Sequence, residues 1–209
     1  IETTGVERKH WVKHDGSMCT SDLCSQAAER LINELQWDKG EIELLVFVCQ
    51  TPDYKMPATA CILQDRLGLS ASCMAFDVNL GCSGFVYGLS LASNLLSTGN
   101  MKKALLLVGN TQSYYASNED KSYCMIAGDA GSAICLEHNT QEPDVLQFNL
   151  MTEGAGKDFL IVPDGGFRNP VSLDSFTMRE YEDGIRRNNL HLLSLIHISE
   201  PTRHAQISY

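Results

Sequence analysis

The sequence predicts an α/β protein in which helices alternate with the buried strands of a mixed, largely parallel sheet. Three observations support this fold class. Residues 20–37 carry apolar side chains at helical spacing, residues 44–48 form a continuous apolar run, and a second apolar helix and apolar run follow over residues 84–108. Continuous apolar runs are typical of strands buried on both faces, and their alternation with helices is typical of parallel sheets.

The first predicted helix covers residues 20–37 and ends before Gly40. Its apolar residues recur every four positions, and Thr20 or Ser21 can supply the side-chain oxygen that caps its first turn. A strand is predicted next, over residues 41–50, with the apolar run at its centre. Since that run contains no polar residue, we expect this strand inside the sheet, with helices on its faces.

The middle of the chain repeats this pattern. Pro57 opens a short helix that Gly68 can end, because proline suits a first helical turn and glycine suits the position after a last one. Residues 109–121 are polar and are expected to form a loop. The remaining elements are predicted from apolar runs and small residues: a strand over 73–78, a helix over 84–96, and strands over 104–108, 123–127, 130–136 and 145–150.

The composition indicates an ordinary globular chain. Of the 209 residues, 44% are apolar and 20% charged, unlike a disordered chain, and the net charge of −10 is unlike that of a nucleic-acid-binding protein. No apolar run reaches the roughly 18 residues of a membrane span. The cysteines include no C-x-x-C pair and no histidine cluster accompanies them, which disfavours structural zinc and favours a reducing, cytoplasmic location.

Residues 75–89 (AFDVNLGCSGFVYGL) have the strongest chemical signature. A predicted strand runs into Gly81-Cys82-Ser83-Gly84 and a helix follows at once, so that small residues permit a tight turn with Cys82 at the positive end of the helix. Free N–H groups there favour a thiolate, and the Cys82 N–H can face an oxyanion on a bound thioester. The turn alone leaves two interpretations open, a nucleophile and a buried core cysteine.

The other thiols are expected to be less reactive than Cys82. Cys49, Cys73, Cys124 and Cys135 lie in predicted apolar strands. A buried cysteine behaves as a small apolar residue, so these four are expected to be inert.

Several segments, in a shared order and spacing, resemble one known family. They are TGVERKH (4–10), MPATACILQDRLG (56–68), GCSG (81–84), ALLLVGN (104–110), AGDAGSA (127–133) and GGFRNP (165–170). Together they resemble the 3-oxoacyl-[acyl-carrier-protein] synthase III family of the thiolase superfamily, across residues 3–192. The resemblance implies a thiolase-like layered fold, of which this chain is the N-terminal half.

The resemblance also implies a condensing enzyme. Cys82 stands at the position of the nucleophile, which accepts an acyl group from acyl-CoA and passes it to the carbanion released when malonyl-acyl carrier protein loses CO₂. No cofactor or metal is implied, because the CoA thioester and the carrier protein's phosphopantetheine are substrates. The family's His and Asn, which stabilise the enolate, match no residue here, so the chain alone is expected to be inactive in condensation.

Two further positions are assigned by the resemblance. Met56 stands where the family has a Phe that reaches across a homodimer interface into the partner's acyl pocket. Lys121 stands where some members have an Arg that stacks on the CoA adenine. Both are therefore expected to bind substrate in a full-length homodimer, without membrane or nucleic-acid partners. The alternatives are a packing role for Met56 and a solvated surface position for Lys121.

The sequence divides into three parts. Residues 1–150 are predicted to form the thiolase-like half, and residues 151–192, rich in glycine and proline, an irregular segment toward a second half. Residues 193–209 resemble a translated sequencing-library adapter and are excluded from fold prediction. Without a second half, a large apolar face of the sheet is expected to be exposed.

The sequence is compatible with two other functions. The nucleophile turn alone is also typical of other thiolase-superfamily condensing enzymes, of the 3-hydroxy-3-methylglutaryl-CoA synthase or polyketide type. A third interpretation is a silent subunit that partners an active one. The presence of Cys82 disfavours this last reading, since a silent subunit has no need of the nucleophile.

Overall fold

The computed structural model describes residues 4–120, 123–139, 146–177 and 186–192. The chain divides into two compact units, the first of Ile1–Tyr114 with Ala127–Met151 and the second of Tyr115–Ile126 with Thr152–Tyr209. The expected boundary near residue 150 stays a prediction. So does the origin of residues 193–209, which lie outside the described residues.

In the first unit, helices and strands alternate along the chain, which confirms the α/β class. The helices are α1 (Thr20–Leu35), α2 (Thr59–Arg66) and α3 (Gly84–Ser97). The strands are β1 (Leu44–Val48), β2 (Met74–Val78), β3 (Lys103–Thr111) and β4 (Asp129–Glu137). In the ranges described, no helix combines the length and apolar composition needed to cross a membrane.

The four strands form one sheet in the order β2-β1-β3-β4. β1 is parallel to both of its neighbours, with Leu44 opposite Met74 on one side and Ala104 on the other. β4 is antiparallel to β3, so the prediction of a mixed, largely parallel sheet is confirmed. The three parallel strands end at the same edge of the sheet, where ligands of α/β proteins usually bind.

β1 divides the core into two layers. Leu45 and Phe47 pack with residues of α1 and α2, whereas Leu44, Val46 and Val48 pack with residues of α3. All five side chains are at most 1% exposed, because helices cover both faces of the strand. A run without a polar residue therefore forms a strand without a solvent face, as predicted.

The two faces of β1 carry no exposed apolar side chain, whereas α3 does. Phe85, Val86 and Leu91 of α3 are 42–43% exposed. The expectation that the sheet would present an apolar face is wrong for β1, because α3 itself covers that side. α3 therefore packs on the sheet with one side and leaves these three apolar side chains partly exposed.

The start of α1 differs from the prediction. Its N-cap residue is Cys19, whose backbone N–H donates to Asp22 Oδ2 at 2.7 Å, and not Thr20 or Ser21. Both hydroxyl residues lie buried inside the first turn. The Thr20 hydroxyl lies 2.7 Å from that of Thr51, so it ties α1 to the segment after β1 and does not cap the helix.

Two of the predicted strands are wrong. Residues 123–126 form turns, in which the Ile126 N–H donates to the Tyr123 carbonyl at 3.0 Å. Residues 146–150 are not a strand either, and residue 145 lies outside the described residues. A short apolar run without a clear period does not separate a strand from a turn. The predicted polar loop after residue 108 is also shorter than expected, because β3 continues to Thr111.

The second unit is held by a polar cluster. Arg187 donates twice to the Asp164 carboxylate, from Nε at 2.9 Å and from Nη2 at 2.8 Å, and Ser175 Oγ adds a third hydrogen bond at 2.9 Å. Two short strands, β5 (Leu160–Ile161) and β6 (His191–Leu192), pair in antiparallel fashion. In the described residues of this unit, the predicted irregular stretch is organised by hydrogen bonds around the buried Asp164 carboxylate.

Candidate active site

Cys82 lies in the turn that joins β2 to α3. β2 ends at Val78, and α3 begins at Gly84, whose N–H donates to the Gly81 carbonyl at 2.8 Å. The predicted strand, turn and helix are confirmed. Ser83 is the N-cap residue, and its side chain makes no capping hydrogen bond. The first N–H groups of α3 are therefore not occupied by that side chain, which suits a helix end that faces an anion.

Glycines bring this turn close to the sheet. A Cβ at Gly84 would lie 2.5 Å from Val48 Cγ1, and one at Gly88 would lie 2.7 Å from Val48 Cγ2. Neither glycine has a positive φ, so close approach, and not backbone freedom, is the reason for glycine at these positions. The turn with Cys82 is thereby fixed against β1, at the carboxyl edge of the parallel strands.

The cysteines are free thiols that differ widely in burial. Cys82 and Cys61 are exposed, whereas Cys24, Cys49 and Cys73 are buried. Burial raises the pKa of the Cys24 thiol to about 12 and that of Cys73 to about 11. Because the thiolate is the reactive form, the buried thiols are poor nucleophiles. The exposed Cys82 thiol can be reached by a reagent from solvent.

Two other cysteines were predicted to be inert members of strands. Cys135 lies in β4 and is half-buried, and burial raises the pKa of its thiol to about 11. Cys124 is half-buried but lies in a turn, where its N–H donates to the Asp120 carbonyl at 3.2 Å. The strand predicted around Cys124 is therefore wrong.

Asp77 is a residue whose role the sequence analysis missed. Its carboxylate accepts hydrogen bonds from the backbone N–H groups of Thr59 at 2.8 Å and Ala60 at 2.7 Å, so it caps the start of α2. The available signal was a charged residue near the end of an otherwise apolar strand, since such a residue needs hydrogen-bond partners. Asp77 fixes α2 to the strand that leads to Cys82.

Asp129 organises the loops at the same edge of the sheet. Its carboxylate accepts hydrogen bonds from Val12 N at 2.8 Å, Ser113 N at 2.9 Å and Ser113 Oγ at 2.6 Å. His14 extends this network, with Nε2 at 2.7 Å from Ser113 Oγ and its ring stacked on Tyr114. These contacts give Asp129 a structural role. Among the described residues, no three His, Cys, Asp or Glu side chains are grouped so that they could hold a metal ion.

Gln50 was also missed, and it lies beside the Cys82 turn. A Cβ at Gly81 would lie 2.5 Å from Gln50 Oε1, so the glutamine side chain covers the residue that precedes Cys82. The Gln50 backbone N–H donates to Asn110 Oδ1 at 2.6 Å. Nothing in the sequence pattern links these residues, because they come from three different segments.

The two residues predicted to bind substrate have different outcomes. Met56 is 79% exposed, on the segment between β1 and α2. That segment and the Cys82 turn both leave the carboxyl edge of neighbouring parallel strands. Lys121 lies outside the described residues. The roles of Met56 and Lys121 stay predictions.

Comparison with known proteins gives consistent matches. A family model described as 3-oxoacyl-[acyl-carrier-protein (ACP)] synthase III matches residues 76–154. A beta-ketoacyl-[acyl-carrier-protein] synthase III of Desulfitobacterium hafniense (strain Y51) is 33% identical over 175 residues, which are 84% of this chain and 52% of the relative. The chain spans about half the length of the curated relatives it matches.

Solved structures give the same result. A crystal structure of a 3-oxoacyl-(acyl-carrier-protein) synthase III has a TM-score of 0.82 and 34% identity, over 91% of this chain and 57% of that one. A 3-oxoacyl-(acyl-carrier protein) synthase from Burkholderia xenovorans LB400 has a TM-score of 0.77 and 37% identity, over 93% and 53%. The predicted thiolase-like fold is thereby confirmed. These matches confirm the resemblance of this chain to the 3-oxoacyl-[acyl-carrier-protein] synthase III family.

Proposed function

We propose that this chain is part of a condensing enzyme of fatty-acid synthesis, which joins an acyl group from acyl-CoA to a two-carbon unit from malonyl-acyl carrier protein. The observation that carries the proposal is the exposed Cys82 in a strand-to-helix turn, inside the segment that the family model matches. The names of the curated relatives support the reaction class.

In the first step, the Cys82 thiolate attacks the carbonyl carbon of acyl-CoA. The carbonyl oxygen becomes an oxyanion, the bond between that carbon and the CoA sulfur breaks, and CoA leaves as a thiolate that takes up a proton. The Cys82 N–H and the positive end of α3 would stabilise both the attacking thiolate and the oxyanion. The exposure of Cys82 supports this step, since the acyl donor must reach the sulfur.

In the second step, the malonyl group loses CO₂ and the resulting enolate carbon attacks the acyl-Cys82 carbonyl. The carbon–sulfur bond to Cys82 breaks, which regenerates the thiolate and releases a 3-oxoacyl carrier protein. The enolate needs hydrogen-bond donors, and the loss of one such donor commonly costs about 10²–10³ in rate. Since no residue of this chain matches the family's His and Asn, we propose that the 209 residues alone transfer the acyl group without condensing it.

Mass spectrometry of the acylated chain tests the proposal. The purified chain would be incubated with acetyl-CoA and butyryl-CoA, and the adduct would be located by peptide mapping. We expect an acyl adduct on Cys82 that is absent in Cys82→Ala and unchanged in Cys61→Ala, which removes the other exposed thiol. An adduct on Cys61, or none at all, would contradict the proposal. Adding malonyl-acyl carrier protein should give no 3-oxoacyl product above background.

Met56 and a homodimer belong to the same proposal. The side chain of Met56 is almost fully exposed and so is free to enter the acyl pocket of a partner subunit. In a dimer, Met56→Trp should favour shorter acyl groups, because overfilling a packed site typically costs about 1–3 kcal/mol. The measurement is the ratio of Cys82 acylation rates with acetyl-CoA and octanoyl-CoA, and an unchanged ratio would count against this role.

We also propose a reducing location, such as the cytoplasm. All eight cysteines lie in the described residues and all are free thiols. A nucleophilic Cys82 would need to stay reduced, and disulfides are rare in that compartment.

A further inference from the structure

The contact between Gln50 and Gly81 is unusual for an exposed glutamine. Gln50 is exposed, yet its amide lies directly on Gly81, with Oε1 2.5 Å, Cδ 3.1 Å and Nε2 3.5 Å from the point where a Cβ would stand. Any side chain at residue 81 would displace this amide. Glycine at 81 and glutamine at 50 are therefore complementary in shape.

The backbone of Gln50 is held in place from the other side. Its N–H donates to Asn110 Oδ1 at 2.6 Å, and Asn110 lies within β3. β3 pairs directly with β1, so Gln50, the second residue after β1, is anchored to the neighbouring strand. Because the Gln50 backbone is already anchored, packing its side chain on the Cys82 turn costs side-chain entropy but no further backbone entropy.

We propose that Gln50 is a positioning residue for Cys82: its amide covers the backbone of Gly81 and fixes the turn so that the thiol faces the acyl donor. The inference rests on the proposed role of Cys82 as nucleophile. Gln50 itself does not need to touch the substrate.

Covalent geometry limits how far the amide lies from the sulfur. Gly81 and Cys82 are consecutive, and consecutive Cα atoms are about 3.8 Å apart, so Gln50 Oε1 lies on the order of 10 Å or less from Cys82 Sγ. A charge placed at the end of residue 50 therefore acts on the Cys82 thiolate with only partial screening, because the Debye length is about 8–10 Å at ordinary ionic strength.

The first test removes the amide. In Gln50→Ala, we expect the rate of Cys82 acylation by acetyl-CoA to fall about five-fold or more, with an unchanged melting temperature, because the turn is no longer held in one orientation. Gln64→Ala is the matched control, since its amide donates to Leu69 O in the same unit, away from the turn. That control should leave the acylation rate unchanged.

The second test introduces a charge at residue 50 and measures the pH dependence of Cys82 alkylation. A purely structural role of Gln50 would leave that pH dependence unchanged. Gln50→Glu keeps the shape of the side chain and places a carboxylate beside the turn. We expect the pH midpoint of Cys82 alkylation by iodoacetamide, followed by peptide mapping, to rise by about half a unit or more, because a nearby anion disfavours the thiolate. Gln64→Glu should leave that midpoint where it is.

The third test is a double-mutant cycle. Gly81→Ala pushes the Gln50 amide away without removing it. If that contact is the cause of the effect, then Gly81→Ala, Gln50→Ala and the double variant should lose the same factor in acylation rate, and the two losses should not multiply.

The outcomes separate the inference from the proposed function. Multiplying losses, or an alkylation midpoint that is the same in Gln50→Glu and Gln64→Glu, would overturn the positioning role. Alkylation needs no acyl transfer, so a shifted midpoint supports the positioning role even if acetyl-CoA fails to acylate Cys82. That last failure would overturn the proposed function instead.

Discussion

α1 and α3 cover opposite faces of the same strands in opposite ways. α1 turns Cys24, Ala28 and Ile32 toward the sheet and presents mainly polar residues to solvent. α3 turns mainly small residues inward and leaves Phe85 and Leu91 on its outer side. A helix can therefore lie close to a sheet when its inward side chains are small, wherever its large apolar side chains point.

The two helices also differ in what limits their approach. On the α1 side, a Cβ at Gly131 of β4 would lie 2.6 Å from Cys24 N, a backbone atom. On the α3 side, the nearest neighbours of a Cβ at Gly88 would be methyl groups of Val48 and Leu106, at 2.7 and 2.9 Å. Backbone atoms cannot yield without moving the helix, whereas methyl groups at the ends of side chains can, so the α1 contact is the stricter one.

The largest effect is therefore expected for Gly131→Ala. The new methyl group meets the α1 backbone, and overpacking of this kind costs about 3 kcal/mol, at the upper end of the usual range. Urea unfolding of the chain would measure the change. A loss smaller than that of Gly88→Ala would contradict the order of the two contacts.

Gly88→Ala is expected to lower the free energy of unfolding by about 2 kcal/mol, because Val48 and Leu106 can shift by a few tenths of an ångström. The double variant with Val48→Ala should lose less than the sum of the two single losses, since the smaller residue makes room for the new methyl group. Additive losses would show that some other contact of Gly88 sets the distance.

Alkaline pH should destabilise the chain through its buried thiols, of which Cys24 lies in α1. Burial raises the pKa of Cys24 to about 12, from an ordinary value of 9.0. The unfolded chain loses this proton at lower pH than the folded chain does. The contribution of Cys24 to the free energy of unfolding is therefore fully present below pH 9 and is lost as the pH rises toward 12. At pH 10 the loss from Cys24 is about 1.4 kcal/mol.

Cys24→Ala tests this dependence. Urea unfolding at pH 8, 9 and 10 should give a shallower decline in this variant, while Cys82→Ala should keep the slope of the original chain. Equal slopes in all three proteins would show that other groups control the alkaline loss.

The smallest effect is expected on the outer side of α3. Leu91→Gln should change the free energy of unfolding by less than about 0.5 kcal/mol, because Leu91 is already partly in water. Leu63→Gln, the same change at a fully buried position of α2, should cost about 3 kcal/mol or more. A large loss in Leu91→Gln would mean that its side chain supports the packing of α3.

The sequence predicted the features that depend on local pattern. The run at 44–48 has no polar residue and formed a buried strand, and GCSG between a strand and a helix formed the Cys82 turn. Local pattern failed at residues 123–126, where a short apolar run forms turns because hydrogen bonds close within the segment. For so short a run, its length and the residues at its ends are better guides to strand or turn than its apolar composition.

Contacts between distant segments could not be predicted. Gln50 and Gly81 are brought together only when β1 and β2 pair in register, and Asp77 caps α2 only when β2 lies beside it. Cys82 could be predicted because its neighbours in sequence define its turn. Gln50, which lies beside that turn, comes from the segment after another strand and could not be predicted.

The strand order has a consequence for how the chain folds. Leu44 pairs with Met74, 30 residues later, and with Ala104, 60 residues later. Closing a loop twice as long costs only about 0.6 kcal/mol more in chain entropy. Loop length therefore distinguishes the two pairings little. We expect the packing of α3, whose Gly84 and Gly88 lie against Val48, to have the larger influence on when β3 joins β1. A single methyl group at Gly88 could thus slow the closure of the sheet more than the 30 additional residues of loop do.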